Sequence, residues 1–168
     1  GFPNVRECAE EMLSITVQDY QTRKLKVFGT RPYKNTRDDV EFILCDGEQH
    51  LLRCFLDYWI QNFPDILTGW NVDGYDVPYI CGRLERLFGS KEMKLMSPWG
   101  IVSQEQITIM GREFNTFDIA GVTTLDYLEL YKKFTYTNRE SYRLDFIAEV
   151  ELGQKKLDHS EFDTFKEF

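Results

Sequence analysis

The chain is poor in nitrogen and sulfur ligands arranged for a metal. Only His50 and His159 are present, and Cys8, Cys45, Cys54 and Cys81 form no Cys-x-x-Cys pair. That spacing gives no expectation of a zinc site. The cysteines read instead as small buried hydrophobes of a reducing compartment. No apolar run approaches the roughly 20 residues that span a bilayer, so no membrane partner is expected. The charged residues Arg6, Glu7, Glu10 and Glu11 leave no secretory signal near the start, and the expected location is cytoplasmic. The absence of an initial Met reads as a piece of a longer chain. Positive charge is also short. The net charge of −8 argues against a stand-alone nucleic-acid binder, which carries a basic face. It leaves open an enzyme whose carboxylates hold divalent cations.

What is present is an ordinary globular mixture, 42% hydrophobic and 29% charged, which excludes a disordered chain. At 168 residues it suits one domain with a real core. Leu13, Ile15 and Val17 alternate with polar residues as in a half-buried strand, and Leu25 to Val27 suggests its antiparallel partner. A polar loop, Gly29 to Asp39, precedes a third strand, Val40 to Cys45. Asp46 opens a helix with Gln49 completing a capping-box pattern. Leu52, Phe55, Leu56, Trp59 and Phe63 follow at helical spacing until Pro64.

Ile66 to Trp70 reads as a strand buried on both faces. Val77, Ile80, Cys81, Leu84, Leu87 and Phe88 define a second helix, ended by Gly89. The next stretch is less regular. Ile107 to Met110 and Phe114 to Ile119 suggest a hairpin that runs on into Val122 to Leu125. Asp126 can cap a helix carrying Tyr127, Leu130, Tyr131 and Phe134. Ser141 can cap another, with Leu144, Ile147 and Ala148 inward. This order implies an α/β domain with a mixed sheet flanked by helices, an organisation that the ribonuclease H-like fold shares with other mixed-sheet folds.

The segment Leu67 to Ile80, LTGWNVDGYDVPYI, carries the chemistry. A strand ends near Trp70, a turn containing Gly74 follows, and Asp76 stands where a helix begins. The carboxyl ends of strands in α/β sheets are where ligands gather, so a carboxylate there can reach a metal ion. Asp is equally one of the best helix caps, and Pro78 fits a first helical turn. Spacing leaves both roles open for Asp76. Trp70 is open in the same way, between stacking on a base and packing in the core.

Asn71…Tyr75-Asp76 matches Asn-x-x-x-(Phe/Tyr)-Asp, and the chain resembles the 3′–5′ exonuclease domain of family B DNA polymerases at its second motif. The wider strings TGWN and YDVPYI, then GVTTLDYLELYKKFTYTN (Gly121 to Asn138) and SYRLDFIAE (Ser141 to Glu149), are similar to the replicative polymerases of T-even-type tailed phages. FILCDGEQHLLRCFLDYW resembles the family's lead into the motif. Several blocks in register cover most of Val40 to Leu152.

The resemblance implies a proofreading function: two-metal hydrolysis of phosphodiester bonds at DNA 3′ ends, with Mg2+ or Mn2+. Asp76 inherits the role of metal ligand and catalytic residue. Asn71, Tyr75 and Trp70 are the candidate DNA contacts, with simple packing the alternative for Tyr75. The implied partners are a single-stranded 3′ end, primer-template DNA, the rest of the polymerase chain and a sliding clamp. A phage source would place the protein in the infected host's cytoplasm.

One carboxylate cannot hold two divalent ions, and the family's Asp-x-Glu first motif and Tyr-x-x-x-Asp third motif are not matched here. Asp39-Val40-Glu41 has the first spacing but precedes the third strand, in the wrong register. Tyr142 to Asp145 is one residue short of the third-motif spacing. His159 and Asp163 fall in a stretch without apolar periodicity. The resemblance therefore implies an exonuclease domain incomplete at both ends, inactive by itself. The alternative is an inactivated exonuclease-like scaffold or DNA-binding module.

Overall fold

The computed structural model describes residues 3–109 and 112–155, and within them mixed α/β organisation. Strands β1 (Ser14–Gln18) and β2 (Leu25–Gly29) pair antiparallel, and β3 (Val40–Leu44) adds parallel to β2, in the order β1-β2-β3. The parallel addition is possible because residues 30–39 carry the chain back across the sheet, far longer than a hairpin needs. Helix α1 (Gly47–Gln61) follows. Strand β4 (Ile66–Gly69) runs into a π-helical turn, Val72–Asp76, and then helix α2 (Val77–Phe88). A short helix α3 (Ser90–Met93) and a 3₁₀ turn (Lys94–Met96) lead to β5 (Val102–Ile109). Strands β6 (Arg112–Ile119) and β7 (Thr123–Asp126) precede helices α4 (Tyr127–Phe134) and α5 (Leu144–Leu152).

The core forms where α1 and α2 turn their apolar faces onto β1, β2 and the π-helical turn. Phe28, Leu51, Leu52, Phe55, Cys81 and Leu84 are buried there, with Trp59, Val72, Val77 and Met96 beside them. The Trp59 indole N–H donates to the Met96 carbonyl at 2.7 Å, so the large ring brings its polar edge into the core with a partner.

Several expectations hold in outline and fail in detail. Mixed pairing is confined to the first sheet. Among the described residues β4 pairs with β7 alone, in parallel, and β5 with β6 alone, antiparallel. Strand β4 is therefore not buried on both faces: Ile66 is 56% exposed and Thr68 is exposed. A two-stranded ribbon has only one partner ladder and cannot be covered like a central strand. The hairpin is longer than expected, pairing Val102 with Ile119. Its turn at Met110 and Gly111 lies outside the described residues.

The expected caps divide. Asp126 does cap α4, accepting from the Leu128 N–H at 2.8 Å. Asp46 makes no side-chain cap, and the capping box with Gln49 does not form. Instead the Asp46 N–H donates to His50 Nδ1 at 3.0 Å, one turn into α1. Ser141 accepts from the Arg143 N–H and lies before the helix rather than at its cap. Leu144, expected inward, is 56% exposed, whereas Ile147 is buried, as fits a short helix that has one residue under its buried stripe. Cys8, Cys45 and Cys81 are buried as expected and Cys54 is half-buried.

The residues before β1 are strapped across the two long helices. Arg83 of α2 and Glu48 of α1 form a buried two-pronged ion pair, with the Arg83 Nε donating to Glu48 Oε1 at 2.7 Å. Arg83 also donates to the Cys8 carbonyl at 2.7 Å, and Glu48 accepts from the Met12 N–H at 2.9 Å. The Tyr79 hydroxyl donates to the Glu10 carbonyl at 2.7 Å. Gly82 makes the fit possible, because a Cβ there would stand 2.5 Å from Cys8 Sγ.

Candidate functional site

The parallel pairing of β4 with β7 sets Gly69 beside Asp126, so the motif and the start of α4 meet at one end of the ribbon. Asn71 turns the chain with φ 62° and ψ 32°, in the left-handed region. Asn tolerates that conformation better than most residues with a Cβ, which supplies a backbone reason for Asn at the first motif position. The next five residues wind as a π-helical turn that the Val77 N–H closes onto the Val72 carbonyl. Such wide turns mark helices that have been opened at functional sites.

Asp126 holds this turn in place. One of its oxygens accepts from the Asn71 N–H at 2.9 Å and from the Leu128 N–H at 2.8 Å. The other accepts from the Asp73 N–H at 3.1 Å. A buried carboxylate thus caps α4 and clamps the irregular backbone after β4. No local spacing announces this role, since the residues it joins are more than fifty apart in sequence.

Asp76 is not a helix cap. It has helical backbone angles, φ −67° and ψ −51°, and no side-chain cap hydrogen bond, because the π-helical turn already satisfies the backbone ahead of α2. Its side chain is exposed, yet the protein crowded around it lifts its carboxyl from the usual 3.8 to about 6. Loss of hydration is the main cause; a hydrogen bond from its own backbone N–H opposes it, and the Asp126 charge adds to it. Asp73 is also raised, by burial first and then by Asp126 and Glu129. Negative charge is therefore concentrated here, although Glu129 is paired with Lys132 at 2.7 Å. An open groove of about 600 Å³ adjoins the turn, lined by Asp73, Asp126, Glu129, Lys132 and Lys133 among others.

The other motif residues are brought close along the chain but not all into one surface. The Tyr75 ring stacks on Tyr79 at 5.6 Å, and burial followed by the Asp76 charge raises its hydroxyl. Trp70 is half-buried. Its indole N–H donates to the Tyr142 carbonyl at 3.1 Å and its ring lies 5.7 Å from that of Tyr131, which joins the end of β4 to the approach to α5.

The remaining acidic candidates are engaged elsewhere. Asp39 is paired with Arg37 at 2.6 Å and Glu41 with Lys26 at 2.9 Å, on the surface of the first sheet. Asp145 pairs with Arg143 at 3.4 Å. His159 and Asp163 lie outside the described residues. One grouping that spacing did not announce is assembled by the fold: ligand atoms of Cys45, His50 and Cys54 lie within 4.8 Å of one another. A reading of Cys-x₄-His-x₃-Cys across a strand-to-helix junction would have found it, since His50 and Cys54 share a helix face.

The family described as "DNA polymerase family B, exonuclease domain" matches residues 2–147, nearly the whole chain. The chain belongs to that family. Among similar curated proteins, the "DNA-directed DNA polymerase" of Escherichia phage RB69 is 40% identical over 120 residues, and that of Enterobacteria phage T4 is 41% identical over 120 residues. Each match covers 71% of this chain and 13% of the phage protein. The "DNA polymerase catalytic subunit" of Human herpesvirus 7 is 27% identical, covering 100% of the chain and 17% of its own length. This exonuclease domain therefore spans a small part of the curated relatives it matches. Within its described residues no helix is long and apolar enough to cross a membrane.

Proposed function

We propose that this chain contributes the second-motif face of a 3′–5′ proofreading exonuclease within a DNA-directed DNA polymerase, on a ribonuclease H-like fold. The observation that carries the reading is Asp76: a carboxylate on a π-helical turn at the end of a parallel strand, not used as a cap, and lifted to about 6. Perturbed carboxylates in such positions are candidates for chemistry. The donor chemistry fits Mg2+ or Mn2+, hard ions that take carboxylate oxygen, and a cation beside Asp76 would offset the repulsion from Asp126. Two such ions, if bound, would supply an activated water and charge stabilisation for the leaving 3′-oxygen.

In this reading Asp76 holds an ion, and Asp126 acts as a positioning residue that fixes the turn presenting it. Asn71 shapes that turn, and Asn71, Tyr75 and Trp70 are the proposed contacts of a single-stranded 3′ end, Trp70 from the side where it meets Tyr131 and Tyr142. Asp73 adds charge, whereas the oxygens of Asp126 already accept from three backbone N–H groups and are poorly placed to serve as further ligands. In this reading the carboxylates gathered at the site among the described residues are too few to hold two ions, and the chain alone is inactive. Primer-template DNA, the rest of the polymerase and a sliding clamp are the partners, and the host cytoplasm the setting, as phage relatives suggest.

The test is hydrolysis of 3′-labelled single-stranded DNA with magnesium or manganese. The 168-residue chain should release no mononucleotides. A full polymerase carrying this segment should release them, and Asp76→Ala should lower its rate by about a thousandfold while polymerisation persists, the scale expected for several kcal/mol of lost charge stabilisation. Unchanged hydrolysis by Asp76→Ala would remove Asp76 from the site.

A further inference from the structure

A second set of ligands lies at the junction of β3 and α1, away from the motif. Cys45 follows the last residue of β3, and His50 and Cys54 sit one turn apart on α1, so both project from one side of the helix. The three offer two sulfurs and one imidazole nitrogen within 4.8 Å of one another. A tetrahedral zinc ion, with bonds of about 2.3 Å to sulfur, sets two thiolates about 3.8 Å apart, so small side-chain rotations close the set. We infer that Cys45, His50 and Cys54 form a binding site for a thiophilic divalent cation, Zn2+ above all, with solvent at the fourth position.

Four observations support this assignment. The ligand types are the soft donors that select zinc over magnesium. The set is graded from the interior outward, with Cys45 buried, Cys54 half-buried and His50 exposed, so the ion has a route in and an open coordination position. The two thiols are close enough to act on each other, so a single ion can reach both sulfurs. Finally, the Asp46 N–H donates to His50 Nδ1 at 3.0 Å, which keeps the imidazole beside the junction of β3 and α1 until an ion takes the place of that bond.

The chemistry balances simply. Zn2+ replaces one proton on each of Cys45 and Cys54, releasing two protons per ion. Capture by Nδ1 uses the lone pair that now accepts from Asp46. Capture by Nε2 moves the ring proton to Nδ1, which then becomes a donor. Either way the Asp46 amide gives up its bond to His50, so zinc binding is coupled to the start of α1. This differs from the hard carboxylate site in donor type, location and cation.

The experiment is a titration of the reduced, metal-free full chain with Co2+, which reports tetrahedral thiolate coordination by its charge-transfer and visible bands. One equivalent should produce the bands and Zn2+ should displace it. Cys54→Ser should abolish them and His50→Ala should weaken binding roughly tenfold or more. Cys81→Ser and Asp76→Asn should leave them intact. Zn2+ should also shift the Asp46 amide resonance in the unaltered chain and not in Cys54→Ser, a readout that does not depend on colour. Absence of one-to-one binding, or bands that survive Cys45→Ser with Cys54→Ser, would overturn the assignment.

Discussion

Two regions of this exonuclease domain bury or crowd charge, and they treat it in opposite ways. At Glu48 and Arg83 each charge meets its opposite in a two-pronged pair, and the leftover donors and acceptor reach the Cys8 carbonyl and the Met12 N–H. Around β4 and β7 the carboxyl groups of Asp73, Asp76 and Asp126 crowd together, while Glu129 beside them is paired with Lys132 at 2.7 Å. Compensated charge at the first region locks the N-terminal strap onto two helices. At the second, burial and like charge raise the carboxyl groups of Asp73 and Asp76, the kind of perturbation that clusters at functional sites. Asp126 belongs to both patterns, since backbone N–H groups satisfy its oxygens while its charge acts on its neighbours.

The comparison can be broken most severely at Arg83. Arg83→Ala leaves Glu48 buried without its partner and should cost about 3–5 kcal/mol, measured by urea denaturation. A loss below about 1 kcal/mol would mean that the strap is held by packing alone.

Asp126→Ala removes the acceptor for three backbone N–H groups, Asn71, Asp73 and Leu128. The expected cost is about 2 kcal/mol. Faster amide hydrogen exchange should appear at those three positions and not at Met12, whose N–H belongs to the other region.

The smallest effect has the opposite sign. A carboxyl raised in the folded state keeps its proton to higher pH than in the unfolded chain, so stability falls as pH rises from 3.8 to about 6. Asp76→Asn should therefore stabilise the chain at pH 7 and leave it unchanged near pH 3. Solvent access to the side chain limits the gain to about 1 kcal/mol. Thermal melts at the two pH values check the sign, and equal gains at both would show that charge is not the cause.

Much of the frame was legible along the chain because it is written in local periodicity. Leu13, Ile15 and Val17, the apolar stripes of α1 and α2, and Asp126 ahead of α4 each announce an element through neighbours a few residues away. Caps were less legible. Asp46 and Ser141 have the right chemistry, yet His50 takes the Asp46 N–H, and Asp145 accepts from the Phe146 N–H in the first turn of α5. The candidate site divides along the same line. Asn71, Tyr75 and Asp76 stand out as a motif, but the clamp from Asp126 and the crowding around Asp76 depend on residues brought together from β7 and α4.

By itself the sequence determined the family, the order of the elements and the carboxylate at Asp76, because each is carried by residue types at short fixed spacings. Tertiary structure alone decided that Asp76 is not a cap and that Asp126 fixes the π-helical turn. Which charges and ligands share a small volume is set by chain crossings, and no local pattern encodes the distance between residues that only the fold makes neighbours.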